Sequence, residues 1–138
     1  MGGSNPREGG GGLGDVVTLA ADGCVLHGFR IMNSGIGFAG VLTESNYNRI
    51  FQNVIVDNHE GLYLNYSSHN VILANNISYN RSENIYIFGG AHNIIGRNLI
   101  GLMAGPYGIL ARNSQRNFIF RNEIVYVGIY RYNSSWDK

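Results

Sequence analysis

An eight-residue pattern, N-x-I-x-x-N-x-I, recurs along the chain and restricts its fold more than any other feature. It reads Asn48-Arg49-Ile50-Phe51-Gln52-Asn53-Val54-Ile55, then Asn70-Val71-Ile72-Leu73-Ala74-Asn75-Asn76-Ile77. The same frame holds Asn93, Ile95, Asn98 and Ile100, then Asn117, Ile119, Asn122 and Ile124. A degenerate earlier copy places Leu26, Phe29 and Ile31 in the frame of Ile50, Asn53 and Ile55. Successive copies are offset by 24, 22, 23 and 24 residues. A fixed period of this length is the mark of a repeat architecture.

A looser pattern precedes each copy: two apolar residues two apart. The pairs are Val17/Leu19, Leu62/Leu64, Ile85/Ile87 and Ile109/Ala111, with Val41/Thr43 in the same frame. Ile129 begins a further copy, but Arg131 stands where an apolar residue is expected. Each unit thus holds three short stretches of period-2 alternation separated by Asn, Gly or Ser. No segment sustains a 3.6-residue period, so helices are not expected. Three short strands cannot bury their apolar side alone; stacking units in register buries a continuous core. The expected fold is all-β, a parallel β-helix of about five coils, each about 4.8 Å from the next. Asn48, Asn70, Asn93 and Asn117 would then stack in one ladder, and Asn53, Asn75, Asn98 and Asn122 in another. A stacked amide donates to one neighbour and accepts from the other, and Asn tolerates a left-handed corner.

Composition limits function as well as fold. A chain of 138 residues with 44% hydrophobic residues suits a single domain with a core. With 10 Lys and Arg against 9 Asp and Glu, a nucleic-acid partner is not expected. One cysteine excludes an intrachain disulfide and a Cys-rich zinc site. No apolar run approaches the ~18 residues of a membrane span. Residues 1–15 read as a flexible Gly-rich tail without a secretory signal, and residues 16–138 as the β-helix domain. Neither end carries an obvious cap, so the expectation is a minimal solenoid or a piece of a longer one. Trp136 could fold over the last coil, and end-to-end self-association is another way to cover the strand edges.

The N-x-I-x-x-N-x-I units, preceded by G-I/L-x-L, resemble the right-handed parallel β-helix repeats of NosD-like proteins. That group belongs to a broader carbohydrate-binding and sugar-hydrolase β-helix class. The resemblance covers roughly residues 16–133. It implies a right-handed coil and an extracellular, surface or periplasmic location.

Candidate sites follow from where the repeat varies. The step from Ile50 to Ile55 is repeated at every copy, whereas the step from the third strand to the next coil ranges from five to ten residues. Insertions therefore gather at one corner, and loops on a rigid scaffold are common sites of function. Beside that corner, the outward positions of the first sheet hold Thr18, Leu42, Tyr63, Tyr86, Leu110 and Tyr130. A flat strip of Tyr63, Tyr86 and Tyr130, with Arg112 near it, would suit the apolar face and polar edges of a sugar. The favoured reading is a non-catalytic module that binds glycan or protein on this face, with no cofactor.

The rival is a small polysaccharide-active enzyme. Asp57-Asn58-His59-Glu60 is similar to the Asp-Pro-His-Asp/Glu motif of alginate C5-epimerases, with Asn58 in place of Pro. The resemblance assigns proton transfer to Asp57, His59 and Glu60. Arg81, one coil on, could neutralise a uronate carboxylate. A third reading is metal handling like that of NosD, in which His69 and His92, in the same frame on neighbouring coils, would share an ion.

Overall fold

The structure is a computed structural model that describes residues 13–102 and 105–137, with side chains described through residue 135. Among them lie seventeen strands, numbered β1 to β17 along the chain, and no helix. They form three parallel sheets, which stack the chain into a β-solenoid of about five turns.

The first sheet contains β1 (Val17–Leu19), β4 (Ala39–Thr43), β7 (Glu60–Asn65), β10 (Glu83–Phe88), β13 (Tyr107–Arg112) and β16 (Gly128–Tyr132), in that spatial order. The second contains β2 (Val25–His27), β5 (Arg49–Phe51), β8 (Val71–Leu73), β11 (Ile94–Gly96), β14 (Asn117–Phe120) and β17 (Trp136–Asp137). The third contains β3 (Arg30–Ile31), β6 (Val54–Val56), β9 (Asn76–Ser78), β12 (Leu99–Gly101) and β15 (Glu123–Val125).

The register is the one the repeat predicts. Val17, Val41, Leu62, Ile85, Ile109 and Ile129 are successive partners in the first sheet. Leu26, Ile50, Ile72, Ile95 and Ile119 are partners in the second. The inward residues of all three sheets meet in one core, where Ile50, Ile55, Leu62, Ile72, Ile77 and Ile85 have no exposed surface. β16 keeps its pairing past Arg131, whose side chain is exposed.

Both expected Asn ladders are present, and all their members are buried except Asn122, which is half-buried. Asn48 Nδ2 donates to Asn70 Oδ1 at 2.9 Å, Asn70 Nδ2 to Asn93 Oδ1 at 3.0 Å, and Asn93 Nδ2 to Asn117 Oδ1 at 3.0 Å. Asn53, Asn75, Asn98 and Asn122 repeat the arrangement at 2.9–3.1 Å. One detail differs from expectation. The left-handed residue is the one before each ladder Asn, such as Gln52 (φ 55), Ala74 (φ 56), His69 (φ 59) and His92 (φ 57). The preceding residue makes the turn so that the ladder Asn can aim its own N–H along the solenoid axis. Asn70 N, for example, reaches Asn93 Oδ1 at 3.0 Å. Left-handed geometry costs a non-glycine residue roughly 1–2 kcal/mol. The two to five hydrogen bonds made by each ladder amide offset that cost.

A third ladder lies at the variable corner. Asn58 Nδ2 donates to Asn80 Oδ1 at 3.2 Å, and Asn80 Nδ2 donates to Asn84 Oδ1 at 3.0 Å. All three residues are buried. This corner, expected to be a polar surface loop, therefore has an interior amide spine.

The Gly-rich tail falls largely on residues 1–12, outside the described residues. β17 extends the second sheet with Trp136 opposite Asn117, while the side chain of Trp136 lies outside the description. Among the described residues no helix is long and apolar enough to cross a membrane.

Candidate functional site

The third Asn ladder fixes the corner from which β7 and β10 enter the first sheet, and so fixes what that sheet presents outward. Two residues before the anchors Val17, Leu62 and Ile85 stand Asp15, Glu60 and Glu83, with Ala39 in the same frame on the coil between the first two. One residue after the anchors Val41, Leu62 and Ile85 stand Leu42, Tyr63 and Tyr86. Asp15, Leu42, Glu60, Tyr63 and Tyr86, but not Glu83, line a groove of about 370 Å³, together with Gly37, Phe38, Ala39 and Asn65. Its floor is a sheet whose inner side is the solenoid core, so the geometry is rigid.

The electrostatics of this groove are perturbed. Burial, together with the nearby carboxylates Glu83 and Asp15, pushes the Glu60 carboxyl up to about 7. Burial pushes the Tyr63 phenol up to about 12, helped by Tyr86 and Glu60. Glu60 is therefore about half protonated near neutrality, able both to donate and to accept a hydrogen bond. Asp15 is already engaged, since its Oδ1 accepts Ala39 N–H at 2.7 Å.

A pH dependence of stability follows. The folded pKa of Glu60 lies above its unfolded value, so the folded state binds the extra proton. This contribution is neutral below about pH 4.5, becomes destabilising as pH rises to about 7, and stays so above. Glu60→Gln, neutral at every pH, is expected to flatten the fall in melting temperature between those limits and to melt higher than wild type at pH 8. Parallel pH-dependent thermal melts test this; identical profiles would place Glu60 in water.

The aromatic strip is only partly as expected. Tyr63 and Tyr86 are neighbours with ring centroids 4.8 Å apart, but their planes are inclined by 53°. Leu110 separates Tyr86 from Tyr130 in the register. Tyr130 packs edge-on against Tyr107, with centroids 5.0 Å apart. Arg112 lies over the Tyr132 ring, its Cζ 5.4 Å from the centroid. Tyr130 and Arg112 thus belong to a second aromatic patch, and the described groove lining does not include them.

The epimerase-like cluster is divided by the fold. Asp57 is exposed in a left-handed turn (φ 55), and Asn58 is buried in the third ladder. His59 and Glu60 emerge beyond it, with His59 Nδ1 3.9 Å from Glu60 Oε1 and without a hydrogen-bond partner. Arg81 is exposed one coil on and makes no ion pair among the described residues. Of the four, the groove lining contains Glu60 alone. Leu42, which joins it, stands in the outward row read from the sequence, whereas Asp15, Phe38 and Asn65, 5 to 45 positions away, do not stand out there. Their signal was the shared frame relative to each anchor.

His69 and His92 do come together, as an exposed stack with centroids 5.0 Å apart and planes 9° apart, continued by Tyr47 at 5.0 Å. Among the described residues, no group of three or more His, Cys, Asp or Glu could hold a metal ion. Cys24 and His27 diverge: Cys24 Sγ donates to Ala21 O at 3.1 Å, while His27 stacks on Phe51 at 4.8 Å.

The family model described as "Periplasmic copper-binding protein (NosD)" matches residues 19–138. Among solved structures the chain is similar to the A-module of the mannuronan C-5 epimerase AlgE6 of Azotobacter vinelandii. Identity is 15%, the TM-score is 0.31, and the match covers 88% of this chain. It spans 56% of that module, about half its length. No curated protein matches the chain. With the family match running over nearly the whole solenoid, the chain belongs to the NosD family, a periplasmic family of parallel β-helix proteins.

Proposed function

We propose that this chain is a non-catalytic glycan-contacting module of the periplasm or cell exterior, and that its ligand lies on the outer face of the first sheet. The observation that carries the reading is the groove itself. Tyr63, Tyr86, Phe38 and Leu42 supply apolar surface for a pyranose face, and Asp15, Glu60 and Asn65 supply polar groups for its hydroxyls. The charge of the groove narrows the ligand. Asp15 and Glu60 in the lining, with Glu83 nearby, disfavour a uronate, and the groove contains no Arg or Lys among its described lining residues. A neutral or amine-bearing saccharide fits instead.

Calorimetric titration with neutral, glucosamine and uronate oligosaccharides tests this. Binding of one of the first two is expected, with Tyr86→Ala weakening it by about 2- to 10-fold. Silence towards all three, or a preference for uronates, would overturn the reading. A second reading is favoured by Glu60 alone: a carboxyl titrating near 7 beside other carboxylates has the character of a general acid. It requires product release from the same oligosaccharides, lost in Glu60→Gln.

The family description names copper, so the donors here bear on that reading. Two nitrogens on one ion at about 2.0–2.1 Å each lie at most roughly 4 Å apart, with their lone pairs converging on it. The His69 and His92 rings stack face to face at 5.0 Å, so their in-plane lone pairs run side by side. This pair does not fit a shared copper ion, and no step is derived through one.

A further inference from the structure

The near-neutral total charge conceals a segregation between two faces of the solenoid. The outer face of the first sheet carries Asp15, Glu44, Glu60 and Glu83; Glu44 is close enough to act on Tyr63. The outer face of the second sheet is of opposite character. Its outward strand positions include Val25, Phe51, Val71, Leu73, Ile94 and Phe118. Among its described side chains there is no carboxylate. Exposed arginines stand on and beside it: Arg49 on β5, with its Cζ 5.8 Å from the Phe51 ring centroid, and Arg97 and Arg121 at the adjoining corner. Between Arg49 and Arg97 lies an apolar cleft of about 230 Å³ floored by Phe51, Val71, Leu73 and Ala74.

We infer that the basic, apolar face of the second sheet docks on the acidic, aromatic face of the first sheet of a second copy of this chain. Charge complementarity is one argument: four carboxylates outnumber Arg112 on the first face, while three arginines stand on or beside the second, where Asp137 holds only the last register position. Spacing is another. Both faces are built from the same coils, so side-chain rows on each repeat at the same interval, about 4.8 Å. Two copies laid side by side with aligned axes match row for row, as in aligned sheet packing. An unrelated globular partner would have no reason to share that interval. This side-to-side contact differs from end-to-end stacking, which would join strand edges and leave both faces free. It also stands independently of the glycan reading, because it rests on charge and spacing.

The contact is heterologous: each copy uses one face and leaves the other open, so growth continues into a ring or an open array. It is also small. Five coils of strands about three residues long offer roughly 24 Å by 10 Å of sheet, well under the ~800 Å² per partner of a standard interface. Association is therefore expected towards millimolar rather than nanomolar concentration.

Sedimentation velocity of the full chain tests the inference at rising concentration and at low and high salt. Wild type is expected to shift to larger species with concentration, and high salt to reverse the shift. Arg49→Glu/Arg97→Glu, with a spoiled basic face, should stay monomeric. Glu44→Lys/Glu83→Lys, with a spoiled acidic face, should do the same. These side chains project outward, and circular dichroism identifies a variant that has lost the fold. Mixing the two variants is decisive, because each retains one intact and complementary face. The mixture should associate again although neither variant does alone, since the two reversed faces also complement each other. A monomeric wild type at about 1 mM, variants that associate like wild type, or a mixture that stays monomeric while wild type associates would each overturn it. The second of these outcomes would point to end-to-end stacking.

Discussion

Asn70→Ala is expected to lower the unfolding free energy by about 3–5 kcal/mol. The side chain makes four hydrogen bonds in a site with no exposed surface. Its Oδ1 accepts Asn48 N–H at 2.9 Å and Asn48 Nδ2 at 2.9 Å. Its Nδ2 donates to Ser67 Oγ at 2.7 Å and to Asn93 Oδ1 at 3.0 Å. Alanine removes all four and leaves the Asn48 N–H buried without an acceptor, which costs more than the loss of an exposed bond. Asn46→Ala is the internal comparison. Asn46 is only half-buried, and its Oδ1 accepts one bond, from Ser68 N–H at 2.8 Å. Its loss should cost about 1 kcal/mol. Urea denaturation of both variants checks the contrast. Equal, small losses would mean that water takes the place of the missing amide and that the ladders contribute little.

The ladder of Asn70 was legible in the sequence, and the ladder of Asn58 was not, for a definite reason. Asn48, Asn53, Ile50 and Ile55 lie in a block of invariant spacing, so copies align by eye. Asn58, Asn80 and Asn84 lie where coil length varies, so no fixed offset from the following anchor marks them. In the sequence they read as ordinary polar loop residues beside Asp57 and His59. The candidate site suffered in the same way. Asp57-Asn58-His59-Glu60 reads as one cluster because its members are contiguous. In a solenoid, however, contiguous residues turn a corner, and residues 22 to 24 apart become neighbours. The buried Asn58 therefore parts Asp57 from Glu60, while Glu60 gains Glu83 and Asp15. The tyrosines fared better. Their register was readable, since it depends only on the period. Their ring planes were not, because Tyr86 also packs on Phe88 with centroids 6.2 Å apart, and Leu110 interrupts the row.

Gly61→Ala is expected to destabilise the fold by about 3 kcal/mol and to disrupt the groove with it. A Cβ on Gly61 would lie 2.4 Å from Asn84 O, 2.6 Å from Asn80 Nδ2 and 2.8 Å from Ile77 Cγ2. All three atoms belong to buried residues, two of them in the third Asn ladder, so none can retreat without breaking a hydrogen bond or a core contact. The fault is steric, since Gly61 does not sit at positive φ. Gly14, where an added Cβ meets nothing within 4 Å, supplies the control. Gly14→Ala should change stability by less than about 0.5 kcal/mol. Gly61 stands between Glu60 and the Leu62–Tyr63 segment, so relief of the clash must push β7 outward and carry both groove residues with it. Water then reaches Glu60, its carboxyl moves back towards the ordinary range, and the pH dependence of melting between about pH 4.5 and 7 should shrink together with stability. A Gly61→Ala protein that is less stable but keeps the full pH dependence would separate the corner from the site. It would show that Glu60 is buried by the sheet alone rather than by the amide spine behind it.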